Sequence, residues 1–247
     1  MFNVRPSIPD HRDRKFQLSA TPIKTSVDLR QPGVLIEDQG QLGSCTSNAI
    51  VGAYELMVKT QYPYKYVDLS RLFVYYNMRL FYNEVNEDSG GYLRDALKSL
   101  KKYGVCAESI WPYDISKFED QPSVEAYADA TKRNINYYES LVTNDEIMQV
   151  LSMGNPVVIG IEIFKEFQYL DEEFHDVSMP GKFETPEGAH AVCIVGYDLA
   201  KKMFLIKNSF GTDWGDKGYC WMPYEYVTKY AFEKWYFDIT DQSTFLT

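Results

Sequence analysis

Histidine and basic charge are scarce in this sequence. It holds three histidines among 247 residues, and 25 Lys and Arg against 35 Asp and Glu, for a net charge of −10. Such acidity is a poor match for non-specific nucleic-acid or anionic-membrane binding, so neither is expected as a partner. Cysteines are few and scattered: Cys45, Cys106, Cys193 and Cys220, with no Cys-x-x-Cys pair. That argues against a structural zinc site, and no metal or cofactor is expected. Cys193 lies in a strand-like run, and Cys106 and Cys220 have apolar neighbours. These three read as small buried hydrophobes, with no disulfide framework. No apolar run approaches about 18 residues, so no membrane-spanning helix is expected. The N-terminal stretch lacks the apolar core of a secretory signal, and no Asn-x-Ser/Thr occurs. The expected setting is cytoplasmic, or otherwise one reached without a classical secretory signal.

What is present centres on Cys45. It ends the segment Gln39-Gly40-Gln41-Leu42-Gly43-Ser44-Cys45, and a helical stripe of Ala49, Ile50, Ala53, Tyr54 and Met57 follows. A thiol at a helix N-terminus is reactive, because the free N–H groups and the dipole favour the thiolate. Gln39, six residues upstream, is an amide donor placed to reach back toward the sulfur.

The length allows one large domain or two small ones sharing a cleft. Residues 1–27 are polar and punctuated by proline, and read as an arm. Helices are predicted over 45–60, 70–82 and 92–103, the last stopping at Gly104. Thr143 and Glu146 form a capping box for a helix ending at Gly154. Strand patterns then cover 156–163, 189–197, 202–207, 218–222 and 234–239, with a hairpin turn at 198–201. A helical half therefore precedes a β-rich half, with the change between residues 113 and 137. The acidic, aromatic stretch 165–187 is long for a loop, and long loops in compact domains tend to be functional.

Of the histidines, His11 lies in the arm and His175 in the acidic loop. His190 opens a buried strand, and the next strand ends at Asn208. On adjacent antiparallel strands the Asn208 amide oxygen can meet one ring nitrogen of His190 and leave the other for Cys45. That is the nucleophile, base and orienter arrangement of covalent catalysis, with Gln39 and the Cys45 N–H as oxyanion donors.

These segments resemble the papain family of cysteine proteases. The resemblance rests on Asp28-Leu29-Arg30, Gln39-Gly40, Gly43-Ser44-Cys45, Ser89-Gly90-Gly91-Tyr92 and Trp111-Pro112-Tyr113. It continues through Gly188-Ala189-His190 and the run from Lys207 to Gly215, and covers most of the chain. It implies an α+β, two-lobed fold: a helical lobe over 28–125 carrying Cys45, a β-barrel lobe over 126–247 carrying His190 and Asn208, and a cleft between. It implies a cysteine endopeptidase, with Cys45, His190, Asn208 and Gln39 as the catalytic set. It also implies substrate contacts from Gly90, Gly91, Tyr92, Leu93, Gly160, Gly188 and Ala189, and a bulky hydrophobic or aromatic side chain beside the scissile residue. The implied partners are a peptide or protein substrate and a cystatin-like or propeptide-like inhibitor, with the chain a monomer. Three positions depart from the pattern: Thr46 follows the nucleophile where tryptophan is usual, Phe210 stands for another tryptophan, and Leu42 for a cysteine. Leu42 agrees with a free thiol, whereas Thr46 and Phe210 motivate one alternative, a catalytically weak peptide-binding scaffold. A second, a transamidase or peptide ligase, stays open because nothing in the sequence selects water over an amine as the acceptor.

Overall fold

The computed structural model describes residues 4–243. A short strand β1 (Ser26–Asp28) leads to three helices, α1 (Cys45–Gln61), α2 (Arg71–Leu80) and α3 (Leu93–Tyr103). Helix α1 is buried continuously from Cys45 through Val58, its mostly apolar and small residues and Glu55 alike. Ser70 caps α2, its hydroxyl accepting from the Phe73 N–H. Gly104 ends α3 at φ +79°, and a Cβ there would lie 1.9 Å from the Ala130 carbonyl oxygen.

The second half contains α4 (Val124–Ala130), β2 (Ile135–Ser140), α5 (Asn144–Ser152), β3 (Val157–Ile163), β4 (Gly188–Asp198), β5 (Met203–Lys207), β6 (Tyr219–Pro223), α6 (Tyr224–Tyr230) and β7 (Ala231–Ile239). The strands form an antiparallel sheet in the order β2-β7-β3-β4-β5-β6, and β1 pairs with β4. The capping box of α5 is formed from both sides. A small cavity lined by Asn48, Ala49 and Gly52 of α1 and by Ala191, Cys193 and Asn208 marks where the central helix meets the sheet.

The structure adds four α-helices and strands to those expected from the sequence, besides short 3-10 turns at Ile115–Lys117 and Lys165–Tyr169. Strand β1 has three residues, too few to show a period. In β2 only Ile135 is buried, so the strand carries no alternating apolar signal. Helices α4 and α6 have seven residues each. The last strand also starts at Ala231, ahead of the expected residue 234.

The arm is docked along much of its length. Phe16 is buried, its N–H donates to Ser140 O at 2.9 Å, and the Ser140 N–H donates to Arg14 O at 2.8 Å. Asp13 pairs with Arg94 at 2.8 Å. The Gln149 side chain accepts from the Ser19 N–H and donates to the Ser19 and Thr21 carbonyls.

Beneath the helical half lies a set of buried charges. Arg71 sits 2.8 Å from Glu37 and 3.6 Å from Glu108, and Glu55 accepts the Leu69 N–H at 2.8 Å. Burial raises the carboxyl of Glu55 to about 8 and that of Glu108 to about 7. The folded state therefore holds protons that the unfolded chain gives up at lower pH. Stability is expected to fall as pH rises through 6.5 to 8, by about 1–2 kcal/mol, and Glu55→Gln should flatten the trend. Denaturant midpoints across that range measure it; a flat or rising parent profile would contradict it.

Candidate active site

Cys45 is the first residue of α1, and Ser44 before it makes no side-chain cap to the first turn. The amide end of the helix is thus left for an anion at the Cys45 position. The Ser44 hydroxyl is engaged elsewhere, accepting from Asn48 Nδ2 at 3.0 Å and sharing a 2.5 Å bond with the Tyr113 hydroxyl. None of the four cysteines is in a disulfide.

Gln39 is buried and held on three sides. Its N–H donates to Ser209 O at 2.9 Å, its Oε1 accepts from Ser209 Oγ at 2.8 Å, and its Nε2 donates to Leu42 O at 3.0 Å. The amide nitrogen has a second proton for a ligand. Gly40 turns the loop at φ +58°, and the Gly43 N–H donates to Asp88 at 3.0 Å.

His190 stands on β4 opposite Ile161 and is buried. Its Nε2 is 2.7 Å from Asn208 Oδ1, just past the end of β5. With the amide oxygen accepting, the proton is on Nε2, and the ring's orientation is fixed. Phe210 lies against the imidazole at 4.8 Å between centroids and Phe167 meets it edge-on at 5.9 Å. Trp214 packs on both phenylalanines and donates its indole N–H to Phe167 O. This aromatic shell keeps water from the His190–Asn208 bond. Burial holds the imidazole down at about 4, and the Asn208 bond pulls the other way.

The expected substrate-contact residues fall into two places. Gly90 (φ +70°), Gly91, Tyr92 and Leu93 lead into α3, with Leu93 fully buried. Gly188 and Ala189 open β4, while Gly160 lies on β3 opposite Ala191. Two side chains absent from the sequence reading bear on them. A Cβ on Gly91 would lie 2.4 Å from Met78 Cε, and one on Gly160 2.5 Å from the Phe232 ring. Both are distant in sequence from the glycines that admit them. Thr46, in place of the usual tryptophan, donates to Gly91 O at 3.4 Å.

The arm reaches these same positions. Val4 and Gly91 form a parallel bridge, the Arg5 N–H donates to Gly91 O at 2.9 Å, and the Val4 N–H donates to Ala189 O at 3.4 Å. Val4 is buried. Arg5 pairs with Glu84 at 3.0 Å and its guanidinium lies 5.6 Å from the centre of the Tyr92 ring. Residues 4 and 5 thus join the Gly91 segment to the start of the His190 strand. Among the described residues no cluster of His, Cys, Asp and Glu is placed to hold a metal, and no helix is long and apolar enough to cross a membrane.

The chain is 39% identical to an uncharacterized peptidase C1-like protein of Acanthamoeba polyphaga mimivirus, over 92% of its own length and 82% of that protein's. It is 30% identical to cathepsin K of Gallus gallus, over 78% of its length, and spans 57% of that relative. Xylellain, a cysteine protease from Xylella fastidiosa of known crystal structure, superposes with a TM-score of 0.89 at 32% identity, covering 97% of this chain and 96% of that one. The pattern described as papain family cysteine protease matches residues 23–235, and the chain belongs to that family.

Proposed function

We propose that the chain is a cysteine endopeptidase. The observation that carries the reading is the 2.7 Å His190–Asn208 bond, held behind Phe210 on the strand that packs against the helix headed by Cys45. The Cys45 thiolate attacks a peptide carbonyl carbon and the carbonyl electrons move to its oxygen. Gln39 Nε2 and the Cys45 N–H stabilise that oxyanion. The C–N bond breaks as His190 gives its proton to the leaving amine, leaving a thioester on Cys45. Water, deprotonated by His190, then releases the acid and the thiol. Asn208 holds the ring in place and transfers no proton.

Gly91 and Ala189 would bind substrate through backbone groups, in the manner of an added strand. A hydrophobic side chain is expected beside the scissile residue, next to the Phe232 ring that packs over Gly160. The arm occupies these backbone positions as a propeptide-like inhibitor would, and the active species is a monomer with no cofactor. A scaffold role is less favoured because all four chemical groups are retained. A ligase would use the same acyl-enzyme with an amine as acceptor, and product masses distinguish the two.

The reading is tested with an epoxide-type cysteine-protease inactivator, followed by intact mass and mapping of the labelled residue. One adduct on Cys45 is expected, and none in His190→Ala. Absence of an adduct in both the full chain and a chain lacking residues 1–12, each folded, would refute the thiolate–imidazolium pair.

A further inference from the structure

Both proposed oxyanion donors sit on one short loop, Gln39 at its start and Cys45 at its end. Gln39 is tied to Leu42 within that loop and to Ser209 outside it, and one further tie runs from end to end of the loop. Tyr113, from the segment between α3 and α4, spans it. Its hydroxyl donates to Gln39 O at 3.0 Å and shares the 2.5 Å bond with Ser44 Oγ. The donors form a directed chain: Asn48 Nδ2 to Ser44 Oγ, Ser44 Oγ to Tyr113 Oη, and Tyr113 Oη to Gln39 O. Each hydroxyl gives one proton and accepts one, so every member is satisfied.

The tyrosine is itself gripped. Its N–H donates to Glu108 at 2.5 Å, and the Arg71 guanidinium lies 4.1 Å from its ring centre. Arg71 is held between Glu37 and Glu108, and its Nη1 is 3.4 Å from Asn48 Oδ1. The buried charges described above thus brace the ring that clamps the loop. Burial also raises the Tyr113 hydroxyl above its usual range, which keeps its proton available to Gln39.

We propose that Tyr113 is a positioning residue for the oxyanion site, tying Gln39 to Ser44 so that the Gln39 side chain and the Cys45 N–H converge on one point. The inference rests on the endopeptidase reading of that site. Tyr113 touches neither substrate nor the reacting atoms. Its effect falls on steps that generate an oxyanion and spares those that do not.

Tyr113→Phe removes the hydroxyl and keeps the ring under Arg71. Three quantities are measured on the full chain: peptide hydrolysis, affinity for a peptidyl aldehyde, and the rate of Cys45 alkylation by iodoacetamide. The aldehyde forms a hemithioacetal whose oxygen needs the same donors. Alkylation forms an S–C bond and expels iodide, and needs none. Loss of one oxyanion donor lowers kcat by roughly 100- to 1000-fold, so a misplaced donor should cost about tenfold. The expected result is a roughly tenfold fall in kcat and in aldehyde affinity, with KM and the alkylation rate within about twofold of the parent. Unchanged hydrolysis and aldehyde binding, or alkylation falling in parallel with both, would overturn the proposal. Should Tyr113→Phe not fold, Ser44→Ala breaks the same tie from its other end and should show the same selective loss. If both fold, their effects should be less than additive; full additivity would count against a shared bridge. A parent that binds the aldehyde but cleaves no peptide refutes the endopeptidase reading alone, and a parent that does neither refutes both.

Discussion

Cys45→Ala is expected to abolish peptide hydrolysis and leave the fold in place. The side chain removed is small, and alanine favours the helix that Cys45 begins, so stability should stay within about 1 kcal/mol of the parent. The rate, by contrast, should drop on the order of a million-fold, because no other group can carry the acyl intermediate. His190→Ala should cost nearly as much, and the double variant little more, since nucleophile and base act as one unit. Asn208→Ala should be milder, a loss on the order of 10- to 100-fold, or about 1.4–2.7 kcal/mol. The ring would lose a 2.7 Å bond but keep Phe210 and Phe167 against it. That bond also favours the charged imidazole. Its loss should move the alkaline limb of the pH profile to lower pH. Steady-state kinetics on a fluorogenic peptide, with thermal melts as the control for folding, measure all of this. Cleavage retained in Cys45→Ala would sink the assignment. A loss in Asn208→Ala equal to that in His190→Ala would make Asn208 chiefly structural.

The catalytic candidates are legible in the sequence because they combine rare residue types with strong local patterns. Three histidines leave few choices of base, and Cys45 is marked by a glycine-rich approach and a helical stripe. The long helices and the central strands announce themselves by period. Elements whose stability comes from partners do not. Strand β2 is half-exposed and is held by pairing with β7. Phe167, which walls in His190, sits in an acidic stretch where nothing local marks it as core. Tyr113 lies 74 residues from Gln39 and 69 from Ser44, so its bridge exists only once the chain has folded. The arm is the clearest case. Its composition is that of a solvated segment, yet Phe16, Asp13 and Ser19 are each held by residues more than 80 positions away.

Removing residues 1–12 is expected to raise kcat/KM by about 10- to 100-fold. Val4 and Arg5 use the Gly91 and Ala189 carbonyls as acceptors, and a substrate added as a strand needs backbone groups at the same place. Because the arm is tethered, it competes at an effective concentration in the millimolar range, well above that of most added peptides. Its own grip on the cleft is modest. It consists of two backbone bonds, one buried valine, the Arg5–Tyr92 contact and the Arg5–Glu84 pair, whose side chains are 34% and 30% exposed and so contribute only about 0.2–1 kcal/mol. The cut leaves the Asp13–Arg94 pair, the Ser140 bonds and Phe16 in place, so Tm should fall by no more than about 2–4 °C. Arg5→Glu sets two carboxylates against each other at Glu84 and should give a smaller rise of the same sign, while added salt should activate the parent more than the truncated chain. Progress curves for the three proteins at low and high salt separate these effects. An unchanged or lower rate in the truncated, folded chain would mean that the arm supports the cleft and does not obstruct it.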